Sequence, residues 1–325
     1  MKKIIVFGSN GVLGTAFKDK EFVKKYSKKY KFIFSTSKKI DLRNQKKTIN
    51  YIIKEKPNYI IHLAASTGGI GRSLGNHASI LRDNVYMLFN ILEGARLAKT
   101  KKIILTMTTG MYPEKAKLPL VEKDIHNGEP VSYNYGNSFG KRLMEPAIRS
   151  YRDEYGLDVI GMIVSGIFGE GDNFNLQDAN MLPAVIRRIV EAKRKKSNKV
   201  EIWGTGKPLR EYTYSKDIRD IFIWMLENYS SSKLINISSL EEKPIKKIVK
   251  IICQKVGFEF RKIKFNTKKP DGIFRKTPST KLLRSVIKFN FTRLEDGIEK
   301  TVKWYLKSKN INKKSKARLF NVKSF

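Results

Sequence analysis

Near its start the chain runs from four consecutive apolar residues, Ile4-Ile5-Val6-Phe7, straight into Gly8-Ser9-Asn10-Gly11-Val12-Leu13-Gly14. Few sequence features narrow the choice of fold as much. The apolar run is too short for a helix of its own and rich in β-branched residues, which predicts a strand buried on both faces. The glycine segment then opens a helix. In such a strand–loop–helix unit Gly8 permits the tight turn, Gly11 lets backbone approach a pyrophosphate, and Gly14 allows close helix–strand packing. The helix N-terminus offers N–H groups and a positive dipole end to the phosphates. A glycine trio alone is a weak signal. Its position after a first strand and ahead of a helix makes it a prediction of dinucleotide binding through Gly8, Ser9, Asn10, Gly11, Val12, Leu13 and Gly14.

Similar runs recur at Phe32-Ile33-Phe34, Tyr59-Ile60-Ile61-His62-Leu63, Ile103-Ile104-Leu105 and Val159-Ile160-Gly161-Met162-Ile163-Val164. Helical patterns lie between them, over residues 84–98 and 141–155. Strand alternating with helix predicts an α/β fold, a Rossmann-type doubly wound parallel sheet. After Gly166 the rhythm loosens into Gly/Asn/Asp-rich loop and then a helix around residues 183–191, which predicts a smaller mixed α/β C-terminal substrate lobe. The expected division is a dinucleotide-binding domain over residues 1–165, a mainly substrate-binding lobe over 166–306 with some segments returning to the first sheet, and a basic tail over 307–325. Ligands belong outside the carboxyl ends of the strands, between the lobes.

Composition excludes several classes. With 41% hydrophobic residues in 325, the chain can bury a substantial core, which rules out wholesale disorder. No stretch approaches about 18 uninterrupted apolar residues, so no membrane span is expected. The apolar run at the N-terminus leads into glycines, unlike a cleavable signal. One cysteine, Cys253, leaves neither an internal disulfide nor a cysteine zinc cage, and no metal site is expected. The chain reads as cytoplasmic. Its formal net charge of +36 invites an anionic partner. However, lysine dominates arginine, the clusters over residues 18–31 and 193–199 fit helix ends and loops, and zinc-finger spacing, an RNA-binding aromatic signature and a recognition helix are all missing. The surplus is read as solvated surface, with nucleic acid unlikely.

The second strand ends in Ser35-Thr36-Ser37-Lys38-Lys39. An acid there would bond the ribose hydroxyls of NAD and repel a 2′-phosphate. Hydroxyls and two cations instead favour NADP(H) over NAD(H), with Ser35 and Lys38 as contacts.

The Gly-x-x-Gly-x-x-Gly spacing, Asp41-Leu42 and Leu63-Ala64-Ala65 resemble the extended short-chain dehydrogenase/reductase family. That resemblance places Asp41 at the adenine and Leu42, Leu63, Ala64, Ala65, Val164 and Ile167 beside the cofactor. Longer blocks resemble its GDP-L-fucose synthase branch: Leu63-Ala64-Ala65-Ser66-Thr67-Gly68-Gly69-Ile70, Met111-Tyr112-Pro113-Glu114-Lys115-Ala116-Lys117, Gly171-Asp172-Asn173-Phe174-Asn175, Trp203-Gly204-Thr205-Gly206-Lys207-Pro208-Leu209-Arg210-Glu211 and Lys269-Pro270-Asp271-Gly272. The resemblance covers all but the tail. It implies a GDP-sugar substrate near Asn180, Arg188, Trp203, Arg210, Asp271 and Lys276, and a homodimer through the helices over 84–98 and 141–155. The chemistry agrees: a guanidinium grips phosphate oxygens bidentately and a carboxylate accepts hydroxyl bonds. Trp203 also suits a core aromatic, and Arg210 is expected on a loop after Gly206-Lys207-Pro208.

The same comparison exposes departures. The family sets a Tyr four residues before a Lys on one helix face, where the cation holds the nicotinamide ribose and lowers the Tyr pKa. Lys141 is present, but Asn137 stands at the Tyr position, and an amide is no general acid near neutrality. A shifted helix start would bring Tyr135 inward. Thr108 keeps the catalytic hydroxyl. Gly110 replaces the epimerase Cys and Asn180 its partner His, while Val164-Ser165-Gly166 replaces Pro-Thr-Asn. None of the three histidines fits a catalytic role; His62 ends a strand as a packed residue, and His77 and His126 sit in polar segments. The expected function is an NADP-dependent nucleotide-sugar oxidoreductase reducing a 4-keto sugar with Thr108, Asn137 and Lys141 at its centre and degenerate epimerase residues. The alternative is a catalytically retired protein binding NADP or a sugar nucleotide as a partner or sensor.

Overall fold

The computed structural model describes residues 1–68, 73–269 and 271–308. Expectations at Gly69, Ile70, Pro270 and along the tail from residue 309 lie outside the described residues. The first half of the chain runs β1 (Lys2–Phe7), α1 (Val12–Phe17), α2 (Lys20–Tyr26), β2 (Tyr30–Ser35), α3 (Gln45–Glu55), β3 (Tyr59–His62), α4 (His77–Leu97), β4 (Lys102–Thr108), α5 (Tyr135–Arg142), α6 (Met144–Tyr155) and β5 (Asp158–Val164). The second half runs β6 (Ile167–Phe168), α7 (Met181–Arg194), β7 (Val200–Trp203), β8 (Leu209–Glu211), β9 (Thr213–Tyr214), α8 (Ser215–Asn228), β10 (Ile235–Ile237), β11 (Glu242–Pro244), α9 (Ile245–Val256), β12 (Ile263–Asn266), α10 (Lys281–Val286) and α11 (Leu294–Lys307).

Six strands form one parallel sheet in the order β10-β5-β4-β3-β1-β2. The fold is the expected doubly wound α/β type. The chain leaves β1 toward β2, then crosses back to place β3 on the other side of β1. That reversal opens a crevice outside the carboxyl ends of β1 and β3. Strand periodicity sorts the core: Ile5 and Phe7 pack with Leu88, Ile91 and Ile148 on the face covered by α3, α4 and α6. Ile4 and Val6 pack with Phe17, Phe22 and Phe222 on the face covered by α1, α2 and α8. A separate core under α7, α9 and α11 gathers Ile186, Ile189, Val249, Ile252 and Ile298 with Val200, Ile202 and Ile263.

Three local expectations need correction. β2 lies at the sheet edge, so Phe32, Ile33 and Phe34 are only half-buried. The helix expected over 84–98 starts at His77; its first turns carry His77, Ser79, Arg82 and Asp83, which mask the apolar period. The helix expected over 141–155 is two helices broken at Leu143, because Pro146 lacks the N–H that would bond the Arg142 carbonyl.

Gly161 sits mid-strand in β5, where a glycine costs conformational entropy. Its reason is space: a Cβ there would lie 2.4 Å from Leu234 Cδ2 and 2.7 Å from Ile148 Cδ1. Gly161→Val should therefore destabilise the protein by about 1–3 kcal/mol despite its better strand propensity. A urea midpoint at or above that of the unmutated protein would contradict this.

Candidate active site

The turns that follow β1 and β3 interlock. Gly8 takes φ +77°, and a Cβ there would lie 2.5 Å from the Ala64 nitrogen and 2.7 Å from the Leu63 carbonyl carbon. At Gly14 a Cβ would lie 2.5 Å from Ser9 Cα, so α1 rests directly on the loop. Gly11 has an ordinary φ of −77°, so its backbone conformation alone does not demand glycine. Ser9 ties β1 to the end of β2 by donating its hydroxyl to the Ser35 carbonyl at 3.1 Å.

Several expected cofactor contacts turn out to be engaged within the protein. Ser35 is buried and its hydroxyl meets the Tyr51 hydroxyl at 2.7 Å. The side chains of Ser9, Leu13, Leu42 and Val164 are buried in packing. Ile167 is half-buried on β6. Two guanidinium nitrogens of Arg43 donate to the Asp41 carboxylate at 2.9 and 2.7 Å, which holds that carboxyl below its usual range. Lys38 is exposed, and the Lys39 ammonium lies 5.1 Å from the Tyr51 ring centre. Sequence reasoning missed one cation here: Lys18 donates to the Asn10 side-chain oxygen at 2.7 Å. Only the shortness of α1, six residues, brings Lys18 back to the loop.

Beside this cradle α5 presents Asn137 and Lys141, one turn apart. Lys141 is buried and donates to the Thr106 carbonyl at 2.7 Å, and burial pushes its pKa down to about 8. Burial, and then the Lys141 charge, pull His62 down to about 3. His62 is therefore a neutral packed residue, as expected. Asn137 is 6% exposed, and its side-chain oxygen has no hydrogen-bond partner. Thr108 is half-buried at the end of β4, its hydroxyl accepting from the Gly110 amide at 3.3 Å. Around Gly110 a small network closes: Asn134 donates to the Ser138 hydroxyl at 3.1 Å, which donates to the Gly110 carbonyl at 2.8 Å. A Cβ at Gly110 would lie 2.9 Å from the Asn134 amide nitrogen, so the space of a larger side chain is already taken. Tyr135 does not turn inward. It is 46% exposed, with ring centres of Phe139 and His77 at 4.6 and 6.4 Å.

A cleft opens next to Gly110, lined by Thr109, Tyr133 and Asn134 and by Arg275 and Lys276. Burial and then the Arg210 charge push the Lys276 pKa down to about 8. Burial raises that of Tyr133. Arg210 lies on β8, correcting the expected loop, because β8 pairs with β11. Its guanidinium donates to the Leu209 carbonyl at 2.7 Å. Trp203 is 57% exposed at the end of β7, so it is no core aromatic; the Lys269 ammonium lies 5.3 Å from its ring centre. Asp271 accepts from the Thr205 amide at 2.6 Å and its hydroxyl at 2.7 Å. Arg188 donates to the Glu201 carbonyl at 3.1 Å, close to Trp203 in β7. Asn180 is exposed at the start of α7, where its side chain makes no capping bond. Among the described residues, no group of three or more His, Cys, Asp or Glu could hold a metal ion, and no helix is long and apolar enough to cross a membrane.

Comparison with known proteins agrees with this fold. The model of the NAD dependent epimerase/dehydratase family matches residues 4–238. A probable GDP-L-fucose synthase of Drosophila melanogaster is 33% identical over 95% of this chain and 98% of its own. A GDP-L-fucose synthetase of Naegleria fowleri, solved with NADP bound, superposes with a TM-score of 0.88 at 32% identity over 96% of this chain and 94% of that one. A GDP-6-OMe-4-keto-L-xylo-heptose reductase of C. jejuni has a TM-score of 0.86 at 26% identity, covering 94% and 97% of the two chains.

The depressed His62 makes stability depend on pH. Its folded pKa of about 3 lies below the unfolded value of 6.5, so the unfolded chain binds a proton first on acidification. Stability should therefore fall from about pH 6.5 to 3, by a few kcal/mol from this residue alone. In His62→Gln the fall across that window should be distinctly shallower. Denaturant titrations at pH 7 and pH 4.5 give the comparison, and equal slopes for both proteins would contradict it.

Proposed function

Since the chain belongs to the NAD dependent epimerase/dehydratase family, we propose that it is an NADP(H)-dependent oxidoreductase reducing a 4-keto GDP-sugar, without C3/C5 epimerisation. The observation that carries this reading is an intact dinucleotide cradle beside a centre whose proton-transfer residues have been replaced. The likeness to GDP-L-fucose synthases and to a GDP-heptose reductase supports the substrate class.

The cradle fits a dinucleotide. The contacts of Gly8 with Ala64 and of Gly14 with Ser9 leave no room for side chains between the two turns, so a pyrophosphate would meet backbone. Lys141 spends one of its three donors on Thr106 and keeps the others for a ribose hydroxyl. When bound, the reduced nicotinamide supplies a hydride to the sugar carbonyl. The protein's own part is to bind and align, which contributes much of the acceleration. Arg188 and Arg210 supply positive charge for the diphosphate, Trp203 a flat surface for the base, Asp271 an acceptor for hydroxyls, and Lys276 a cation in the wall of the cleft beside Gly110. NADP(H) preference rests on Lys38 and Lys39 at the end of β2, now joined by Lys18. A homodimer through α4 and α6 accords with the exposed Tyr86 and Phe89 on α4 and Tyr155 on α6. A cytoplasmic setting accords with the single, buried thiol.

A second reading has one specific observation in its favour. Asn137 cannot protonate an alkoxide, and its unpaired buried oxygen costs about 1–3 kcal/mol, which a bound hydroxyl would recover. A protein retired from catalysis that still binds would look the same at this position.

Mixing the protein with NADPH and GDP-4-keto-6-deoxymannose in deuterated water separates the readings. The expected outcome is NADPH oxidation with no deuterium entering C3 or C5, since Gly110 and Asn180 supply neither acid nor base. Binding without NADPH consumption supports the retired protein; in that case Asn137→Tyr should restore turnover beside Lys141. Rapid deuterium incorporation overturns the loss of epimerisation.

The cradle itself is testable by titration calorimetry. Gly11→Val should abolish NADPH binding while leaving the unfolding midpoint near its original value, because the φ of Gly11 suits any residue. NADPH should bind more tightly than NADH, with a gap that shrinks as salt rises. Equal affinities at low salt would show that the lysines around the end of β2 make no contact with a 2′-phosphate.

A further inference from the structure

With Asn137 unable to give a proton, a reductase at this site needs another donor, and the cleft beside Gly110 contains one. We propose that the Lys276 ammonium is the general acid of this protein, giving its proton to the sugar carbonyl oxygen as that oxygen becomes an alkoxide. The proposal rests on the reductase reading above and assigns the step that reading leaves without a residue.

Placement is the first argument. Lys276 shares the walls of one cleft with Thr109 and Gly110, the residues that directly follow Thr108 at the end of β4. A ketone occupying that cleft would have Lys276 in its wall. Rigidity is the second. The segment bearing Lys276 is pinned on both sides: before it the Leu209 amide donates to the Phe274 carbonyl at 2.9 Å, and after it the Leu120 amide donates to the Thr277 carbonyl at 2.9 Å. Arg275 further anchors the segment by donating to Glu242 on β11 at 3.0 Å. A backbone held this way limits where the ammonium can reach and lowers the entropy lost in positioning it.

The surroundings suit an ammonium that gives up its proton. Arg210 on β8 acts on it as a like charge, and Arg275 lines the same cleft. Glu242 is engaged by Arg275 and Thr277. Tyr133 and Glu114 face the cleft from the loop between β4 and α5. Burial and Arg210 together place its pKa at about 8, close to the operating range of an efficient acid. The balance is simple: the C–H bond forms from the hydride, the carbonyl π pair moves to oxygen, and an N–H bond of Lys276 breaks to give the alcohol and a neutral amine. Solvent then re-protonates the amine.

Lys276→Arg separates an acid from a phosphate ligand, because arginine keeps the charge but gives up no proton near neutrality. The expected result is a kcat lower by at least about 100-fold, with KM and the calorimetric affinity for GDP within about threefold. Wild-type kcat should fall as pH rises through about 8, and more steeply than in the variant, where Lys141 alone of the two titrates in that range. On the protein without cofactor, carbon-13 dimethyl-lysine NMR gives a readout independent of turnover: the resonance missing from Lys276→Arg should titrate near pH 8. Full kcat in Lys276→Arg, or titration of that resonance above pH 10, overturns the proposal. So does a 100-fold loss in Tyr133→Phe with none in Lys276→Arg, which would make Tyr133 the donor. A wild type that binds GDP and NADPH yet oxidises no NADPH removes the reductase reading and this proposal with it.

Discussion

The constraint on which the rest of the site depends is the contact between two turns, Gly8 after β1 and Ala64 after β3. Adjacent parallel strands are about 4.8 Å apart, and their carboxyl-end turns here meet with less room than one methyl group requires. This contact fixes where the glycine loop faces and holds α1 against Ser9. Because β1 and β3 flank the point where strand order reverses, it also fixes where a ligand can enter. Residues 166–172 complete the wall on the far side: at Gly171 a Cβ would lie 2.2 Å from the Thr15 hydroxyl of α1. Cradle, sheet and second lobe are thus coupled through contacts that admit only glycine.

Behind the cradle lies a small buried group of polar residues whose energetics follow from the scarcity of partners. His62, Thr106, Asn137 and Lys141 are all less than a tenth exposed, and one polar atom in each of the first three is unpaired. Buried polar atoms are rarely left so, and a stable interior would satisfy them or replace them with apolar groups. Keeping them costs stability. The lysine illustrates the balance. Its ammonium has one good acceptor in the Thr106 carbonyl, and burial has already brought its pKa near neutrality.

Strand and helix order was legible because buried strands need unbroken apolar runs, and the loop after β1 was legible because its close contacts tolerate only glycine. Asn137 and Lys141 were placed on one face by their spacing alone. What the sequence hid was the partnering of polar groups. Asp41 as a ligand contact ignored Arg43 two residues away, which clamps its carboxylate. Ser35 looked available until Tyr51, sixteen residues on, took its hydroxyl. Lys18 went unnoticed because its nearness to Asn10 depends on where a six-residue helix stops. The exposure of Trp203 depended on which face of a short strand meets the second core, and a four-residue strand carries too little pattern to tell. Local periodicity reports burial well, but hydrogen-bond partners depend on tertiary position.

The charge surplus takes on meaning against this background. Most of the lysines are exposed, as on α2 and around Lys195, Lys196 and Lys199. Dinucleotide and sugar nucleotide are both polyanions, and a chain at +36 presents them with an attractive field from every direction. The inner lysines answer to other causes: burial alone brings Lys141 down to about 8, and burial with the Arg210 charge does the same for Lys276. Exposed charges are screened within about 10 Å at 0.1 M salt, whereas Arg210 acts on Lys276 through the protein interior. Ionic strength therefore weakens the outer attraction for anions while leaving the acidity of the inner lysines largely intact.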